Sequence, residues 1–369
     1  MPSLVSYVWL SLKRGLGPYL SAELLRVMGS PEAVYAADDK LLAQACPRLR
    51  RQHLDLLRDK STDEAEYVIE QCARKDIRIL PISDSAYPNR LRSIEDPPVV
   101  LYIRGRWPDL DTMPGISVVG TRSATSYGVQ IADSIGATLA RAGFVTVSGM
   151  ALGNDSAAHR GALRAGGLTV AVLAGGPDVC YPPRNLGLMG DIMLSGAVVS
   201  EYPPGTPPHA GNFPARNRII SGMTPGTLLV EGAKGSGAMI TVNFALDQGR
   251  DVFAVPGSIY SPLSAMPNQL IVDGAKPVIS AWEILDFYRW AEKPAPNPVP
   301  RREIELDDTE KRIVLPLTEQ ELSFEELLQE TQISPAKLNS HLTMLELRGI
   351  IVKAPGGMYR AYLDSPVTE

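Results

Sequence analysis

The sequence predicts an α/β protein in which an extended Rossmann-like parallel-sheet core follows a small helical domain and precedes a winged helix. Three observations carry this reading. Short apolar, β-branched runs alternate with helical stretches between residues 114 and 280, helical periodicity fills the first 80, and proline occupies every second position from Lys293 to Arg301.

The core comes first. Ile116–Val119, Phe144–Val147, Leu168–Leu173, Ala197–Val199, Thr227–Val230 and Asp251–Val255 are nearly continuous apolar runs, each followed by a stretch that can form a helix. Strands with no polar face are buried on both sides, which implies a parallel sheet covered by helices over roughly residues 81–290. In such a sheet ligands bind beyond the carboxyl ends of the strands, beside the point where strand order reverses.

In residues 1–80, Leu20, Leu24, Leu25 and Met28 share one helical face behind the turn Gly15-Leu16-Gly17-Pro18. A small domain of the sterile-alpha-motif or helix-hairpin-helix kind fits this pattern. Such a glycine turn can hold a phosphate, but more often it is only a turn. Asp96-Pro97-Pro98, ahead of Val99–Ile103, marks a softer boundary with the core.

The proline run, residues 291–302, reads as an extended linker to a domain over 303–369. There Phe324–Gln329 and Pro335–Arg348 read as helices, with Ser334 as N-cap and Pro335 in the first helical position. Ile350–Val352 and Gly356–Tyr359 then suggest a hairpin, which completes a winged-helix pattern. From Glu303 to Arg348 there are eleven acids against four bases, so this domain holds more than the chain's whole net charge of −5. A protein partner suits such a domain better than a duplex. The remaining residues are left slightly positive and free to form a basic site.

At 369 residues the chain exceeds one hydrophobic core. It shows neither a secretory leader pattern nor an apolar run of membrane-spanning length, so a soluble cytoplasmic protein is expected. Cys46, Cys72 and Cys180 are too scattered for a zinc site and odd in number, and read as small packing residues. With four histidines and no carboxylates at ligand spacing, no metal is expected.

Three loops can carry a ligand. Gly120-Thr121-Arg122-Ser123 ends a strand ahead of a helix starting near Ser126, whose side chain can cap it; such a turn favours anions, and Arg122 adds a bidentate phosphate donor. Gly232-Ala233-Lys234-Gly235-Ser236-Gly237 repeats the arrangement: Lys234 supplies charge, and Ser236 and Gly237 lie where a phosphate could approach the backbone. His209 to Arg218 sets Phe213 beside Arg216, Asn217 and Arg218, giving a stacking ring, cations and a base-edge hydrogen bonder suited to single strands. Against this, at least one of these arginines is expected to pair internally with Glu201 or Glu231.

Dinucleotide and Walker glycine spacings are both missing, so no NAD, ATP or other cofactor is expected. Asp155, Ser156 and His159 are the nearest thing to a catalytic set. Nothing in the pattern activates a nucleophile, and His159 reads as a buried hydrogen-bonding residue. No residue is assigned a catalytic role.

Taken in order, the motifs resemble the DprA/Smf family of DNA-processing proteins across about residues 80–280. They are Tyr87-Pro88 with Leu91 and Asp96-Pro97-Pro98; Val118 to Arg122; Ser148 to Ala151 and Ala157 to Leu163; Tyr181-Pro182; Ser200 to Pro203; Phe213 to Ile220; Glu231 with Ser236, Gly237 and Thr241; and Val255-Pro256-Gly257. The resemblance implies a homodimer that binds single-stranded DNA without sequence preference, protects it, and loads a RecA-type recombinase during natural transformation. Carried onto this chain, the family's pocket falls on Arg122, Phe213, Arg216, Asn217, Arg218, Lys234, Ser236 and Gly237, with Arg184 a further backbone contact. Family dimers pair near the end of the core, here roughly Leu263 to Val278. Two positions depart from the pattern: Leu152 stands where relatives have arginine, and His209 where some have lysine. The alternative is a nucleoside-monophosphate phosphoribohydrolase, but its motif Pro-Gly-Gly-x-Gly-Thr-x-x-Glu has no counterpart glutamate after Gly235-Ser236-Gly237.

Overall fold

The computed structural model describes residues 3–289, 306–348, 350–353 and 357–361. The linker expected at 291–302 lies outside them. The chain divides into two compact units, Met1–Val299 and Pro300–Glu369.

The first unit is organised by a nine-stranded sheet: β1 Arg78–Pro81, β2 Val100–Gly105, β3 Gly115–Val119, β4 Val145–Ser148, β5 Thr169–Val172, β6 Ala197–Ser200, β7 Gly226–Leu229, β8 Asp251–Ala254 and β9 Lys276–Pro277. Their order is β1-β2-β6-β5-β4-β3-β7-β8-β9, parallel from β6 to β9, with β2 antiparallel to both β1 and β6. The six expected core strands are therefore present within a residue or two of their apolar runs. Strand order runs outward from β3 to β6 on one side and through β7 to β9 on the other, so it reverses between β3 and β7. Every residue of β3 to β7 is buried, because helices cover both faces.

Beyond the sequence reading, the structure adds the strands β1, β2 and β9. β1 and β2 form an antiparallel pair that extends the sheet, and β2 joins two cores. Its Leu101 and Ile103 face the central one, while Val100 and Tyr102 pack with Trp9, Leu24, Val34 and Leu57 of the N-terminal helices. Alternation along one strand thus ties the helical region to the sheet. Cys46 and Cys72 are buried in this second core, and Cys180 packs partly buried against another.

In the second unit the helix Asp308–Glu319 precedes Phe324–Thr331 and Pro335–Leu347, with a small sheet of Leu322–Ser323, Met358–Ala361 and Ile351–Lys353. This is a winged-helix arrangement around Ile313, Leu327, Leu338, Leu342 and Tyr359. Ser334 does occupy the N-cap position of the last helix, but its side chain makes no cap hydrogen bond. Pro335 needs no N–H partner there, so the helix start is set by proline geometry.

Candidate functional site

The loops after β3 and β7 meet where strand order reverses, and one carboxylate holds them together. Glu231 is buried directly after β7. It accepts hydrogen bonds from Thr125 N at 3.1 Å and Thr125 Oγ1 at 2.5 Å, while its own carbonyl accepts Thr121 N at 2.9 Å. Gly128 makes room for this carboxylate, since a Cβ there would collide with Glu231 Oε2. Thr125, rather than Ser126, caps the helix Ser126–Arg141 by accepting from Gly128 N at 3.0 Å. The cap falls one residue early because the Thr125 hydroxyl also reaches Glu231, whereas Ser126 is already the first helical residue.

Arg122 is carried outward on the fixed Gly120–Thr125 loop. Its guanidinium lies 5.1 Å above the ring of Phe213, near the start of the helix Asn212–Gly222. On Phe213 leans Tyr181, with centroids 5.4 Å apart and planes tilted by 58°. Sequence reasoning does not single out Tyr181 as a site residue; an aromatic ahead of two prolines at a strand end is the signal that could have found it. Arg122, Tyr181 and Phe213 make a cation and two rings, with Arg122 and Tyr181 exposed and Phe213 half-buried.

Arg216 and Arg218 lie on the same helix, but the fold turns them inward. Arg216, buried at 5% exposure, donates through Nη1 to Gly149 O at 2.9 Å and to Val172 O, joining the carboxyl ends of β4 and β5. Burial pulls its guanidinium down to about 10, against the pull of Asp155, so it stays charged at neutral pH. Gly149 is small for this reason: a Cβ there would lie 2.5 Å from Arg216 Nη2. Asn217 accepts from Arg216 Nε at 3.2 Å and is partly exposed.

Arg218 is sealed at 1% exposure and does not reach the rim. Its Nη1 and Nη2 donate to the two Glu201 oxygens at 2.8 and 2.7 Å, and its Nε to Asp96 O at 3.0 Å. Burial alone would lower this guanidinium, but Glu201 outweighs that and holds it above its ordinary value. The internal pairing with Glu201 left open from the sequence thus falls on Arg218, which positions the helix from beneath.

The remaining candidates lie on neighbouring strand ends. Arg184 is exposed in a short 3-10 turn, Pro183–Asn185, fastened by Asn185 Nδ2 donating to Met150 O at 2.8 Å and Ser156 Oγ at 2.9 Å. Lys234 is exposed beside Gly235, whose φ of 77° requires glycine. Ser236 Oγ accepts Ala238 N at 3.3 Å at the head of the helix Ala238–Asp247, and the space around Gly237 is open. Leu152 and His209, the two departures, are both exposed at this edge.

His159 is fully buried, as expected of a hydrogen-bonding core residue. Thr169 Oγ1 donates to Thr146 O at 2.7 Å, so it accepts from His159 Nδ1 at 2.7 Å, which leaves Nε2 unprotonated and unpartnered. Burial, helped by the charges of Arg216 and Arg160, pulls the imidazole down to about 3. The unfolded chain takes up this proton near pH 6.5 and the folded chain near 3. His159 therefore removes about 1.4 kcal/mol of stability per pH unit as pH falls through that window, and nothing above it. Urea unfolding at pH 7.5, 6 and 5 is expected to show a shallower decline in His159→Gln than in the parent; equal slopes would contradict it.

Residues 78–289 match the family described as DNA recombination-mediator protein A, and residues 294–357 match the DprA winged helix domain. The chain is 33% identical over 361 residues to the putative DNA processing protein DprA of Mycobacterium tuberculosis, covering 93% of this chain and 91% of the relative. To the DNA processing protein DprA of Bacillus subtilis it is 43% identical over 210 residues, covering 57% and 71%. The solved structure of DNA processing protein A from Streptococcus pneumoniae is similar with a TM-score of 0.66 at 34% identity, over 76% of this chain and 97% of that one. The Helicobacter pylori protein, whose structure was solved for its single-stranded DNA binding mode, gives 0.51 at 28% identity, over 55% and 92%. With the family match spanning the whole sheet and the chain running nearly the length of the mycobacterial relative, this protein belongs to the DNA processing protein A (DprA/Smf) family.

Proposed function

We propose that the chain binds single-stranded DNA without sequence preference along the carboxyl edge of the sheet and catalyses no reaction there. The observation that carries this is the rim of Arg122, Phe213 and Tyr181, which offers a cation and aromatic faces together. Duplex bases are hidden in their stack, whereas an unpaired strand can lay a base on Phe213 or Tyr181, worth about 1–3 kcal/mol per stacked base. In this reading Arg122, Arg184 and Lys234 meet phosphates, Asn217 meets a base edge, Ser236 offers its hydroxyl, and Gly237 presents its backbone N–H, the Ser236 N–H being held by Ala233 O at 3.0 Å. Arg216 and Arg218 brace the helix from below. The Helicobacter pylori relative, described as binding single-stranded DNA, supports this choice of ligand.

The phosphoribohydrolase alternative needs a free carboxylate at the switch point. Glu231 is the glutamate beside these loops, and its oxygens are occupied by Thr125. A second copy of the chain fits the far end of the core, where Tyr260, Val272, Ile279 and Trp282 are 90%, 80%, 73% and 61% exposed. The proposed setting is the cytoplasm during natural transformation. There the dimer protects the incoming strand and passes it to a RecA-type recombinase, and the acidic winged helix meets a protein partner. Among the described residues no helix is long and apolar enough to cross a membrane.

Fluorescence anisotropy with labelled oligo-dT and a duplex of equal length tests the binding. Tight, salt-sensitive binding of the single strand with at least tenfold weaker duplex binding is expected. Equal affinities, or release of free base on incubation with AMP, would overturn the proposal.

A further inference from the structure

Residues 1–60 carry nine bases and six acids in a chain whose net charge is −5, and the structure sorts them unevenly. The acids are largely engaged: Asp59 with Lys13 at 2.8 Å, Asp39 and Asp55 with Arg58 at 2.5 and 2.8 Å, and Glu23 with the Cys46 thiol at 3.1 Å. Arg14, Arg48, Arg50 and Arg51 are exposed, and among the described residues none has a carboxylate partner.

These four arginines gather at one corner. Arg14 opens the turn Arg14–Leu16, which packs on the helix Arg51–Arg58 so tightly that a Cβ on Gly15 would lie 2.6 Å from Leu56 Cδ1. The helix Gly17–Met28 starts at this turn with no acid in its first turn and no side-chain cap. Arg48 stacks 4.9 Å above Tyr19 of that helix and donates to its hydroxyl, which brings the 48–51 segment to the same corner.

This corner borders the loops that follow β5 and β6. Lys75, at the end of the helix Asp63–Arg74, pairs with Asp178 at 2.6 Å, and Asp178 accepts Gly205 N at 2.7 Å, so the N-terminal helices are fastened to both loops. Leu16 of the Arg14–Leu16 turn is buried in the same core as Tyr102, which pairs with Ser200 at the end of β6, two residues before Tyr202.

We propose that a single strand leaving the Arg122–Phe213 rim continues past Tyr202 onto Arg14, Arg48, Arg50 and Arg51, which form a second, phosphate-gripping stretch of the same path. The inference rests on the single-stranded DNA reading of the core and lengthens its footprint. Exposed arginines that lack carboxylate partners among the described residues suit the charged backbone rather than the bases.

The test uses the full chain and labelled oligo-dT of about 6 nucleotides, enough for the rim alone, and of about 25 nucleotides, long enough to span both. In the Arg14→Ala/Arg50→Ala/Arg51→Ala variant, the long strand is expected to bind about tenfold more weakly. Its log–log salt slope becomes shallower by about 2, since each phosphate left without its arginine takes about 0.7 off the slope. The short strand keeps its affinity within about twofold. Lysines at the same three positions restore long-strand binding, because a phosphate accepts a point charge.

An unaffected long strand, equal weakening of both lengths, a loss confined to duplex, or lysine failing to rescue would each overturn the inference. Failure of the core reading looks different: both lengths would then bind normally in a variant lacking Arg122 and Lys234.

Discussion

Replacing Arg122 and Lys234 together with alanine is expected to weaken oligo-dT binding by about 100-fold at low ionic strength and to flatten its log–log salt slope by about 1.4. Both side chains are exposed and, among the described residues, without carboxylate partners, on loops that meet at the switch point. Removing them leaves two phosphates unneutralised while the backbone stays intact. Arg122 also lies over Phe213, so its loss additionally frees that ring to move. Anisotropy titrations from 50 mM to 300 mM salt, roughly the range over which counterion release is resolved, provide the measurement. Unchanged affinity at low salt would remove the strand-end loops from the binding site.

Arg218→Ala is expected to act on stability. The substitution leaves Glu201 without its bidentate partner, and Glu201 is largely shielded, its side chain 14% exposed. Breaking a buried pair from one side costs about 3–5 kcal/mol, which in a domain of this size lowers the thermal midpoint by about 10 °C. Removing Glu201 as well, in Arg218→Met/Glu201→Leu, recovers only part of the loss, because the Asp96 carboxylate, 3.1 Å from Arg218 Nε, is still left without its cation. Measured well below the midpoint, the single variant keeps the parental salt slope, because a sealed guanidinium releases no counterion from DNA. A slope reduced by about 0.7 would instead mean that the strand reaches Arg218 directly.

The contrast between Arg122 and Arg218 shows how far the sequence could be read. Strand positions were legible because a strand buried on both faces must be apolar throughout, and β3 to β7 are. That a ligand binds beyond the carboxyl ends of the strands followed from their alternation with helices, whereas the reversal between β3 and β7 depends on a strand order that alternation does not specify. Side-chain direction did not follow. Phe213-Pro214-Ala215-Arg216-Asn217-Arg218 reads as one basic patch, yet on a helix packed against the sheet it divides into the half-buried Phe213 and Asn217 and the buried Arg216 and Arg218.

β1 and β2 were missed for a different reason. Arg78–Pro81 is too short and mixed to stand out, and becomes a strand only by pairing with Val100–Ile103. The Glu231 clamp depends on contacts across more than 100 residues, which local spacing cannot reveal. Even the helix cap moved from Ser126 to Thr125 because of that distant carboxylate.

The same clamp decides which partner must adapt. With Thr125 and Thr121 both held by Glu231, and Arg216 stapling β4 to β5, the edge proposed to face the nucleic acid is set before any strand arrives. The ordering cost of association then falls mainly on the DNA. A limp homopolymer such as poly-dT can drape over a fixed relief at little cost, whereas poly-dA must first undo its own stacking. Binding of the proposed kind, without sequence preference, would thus still sort strands by their stiffness.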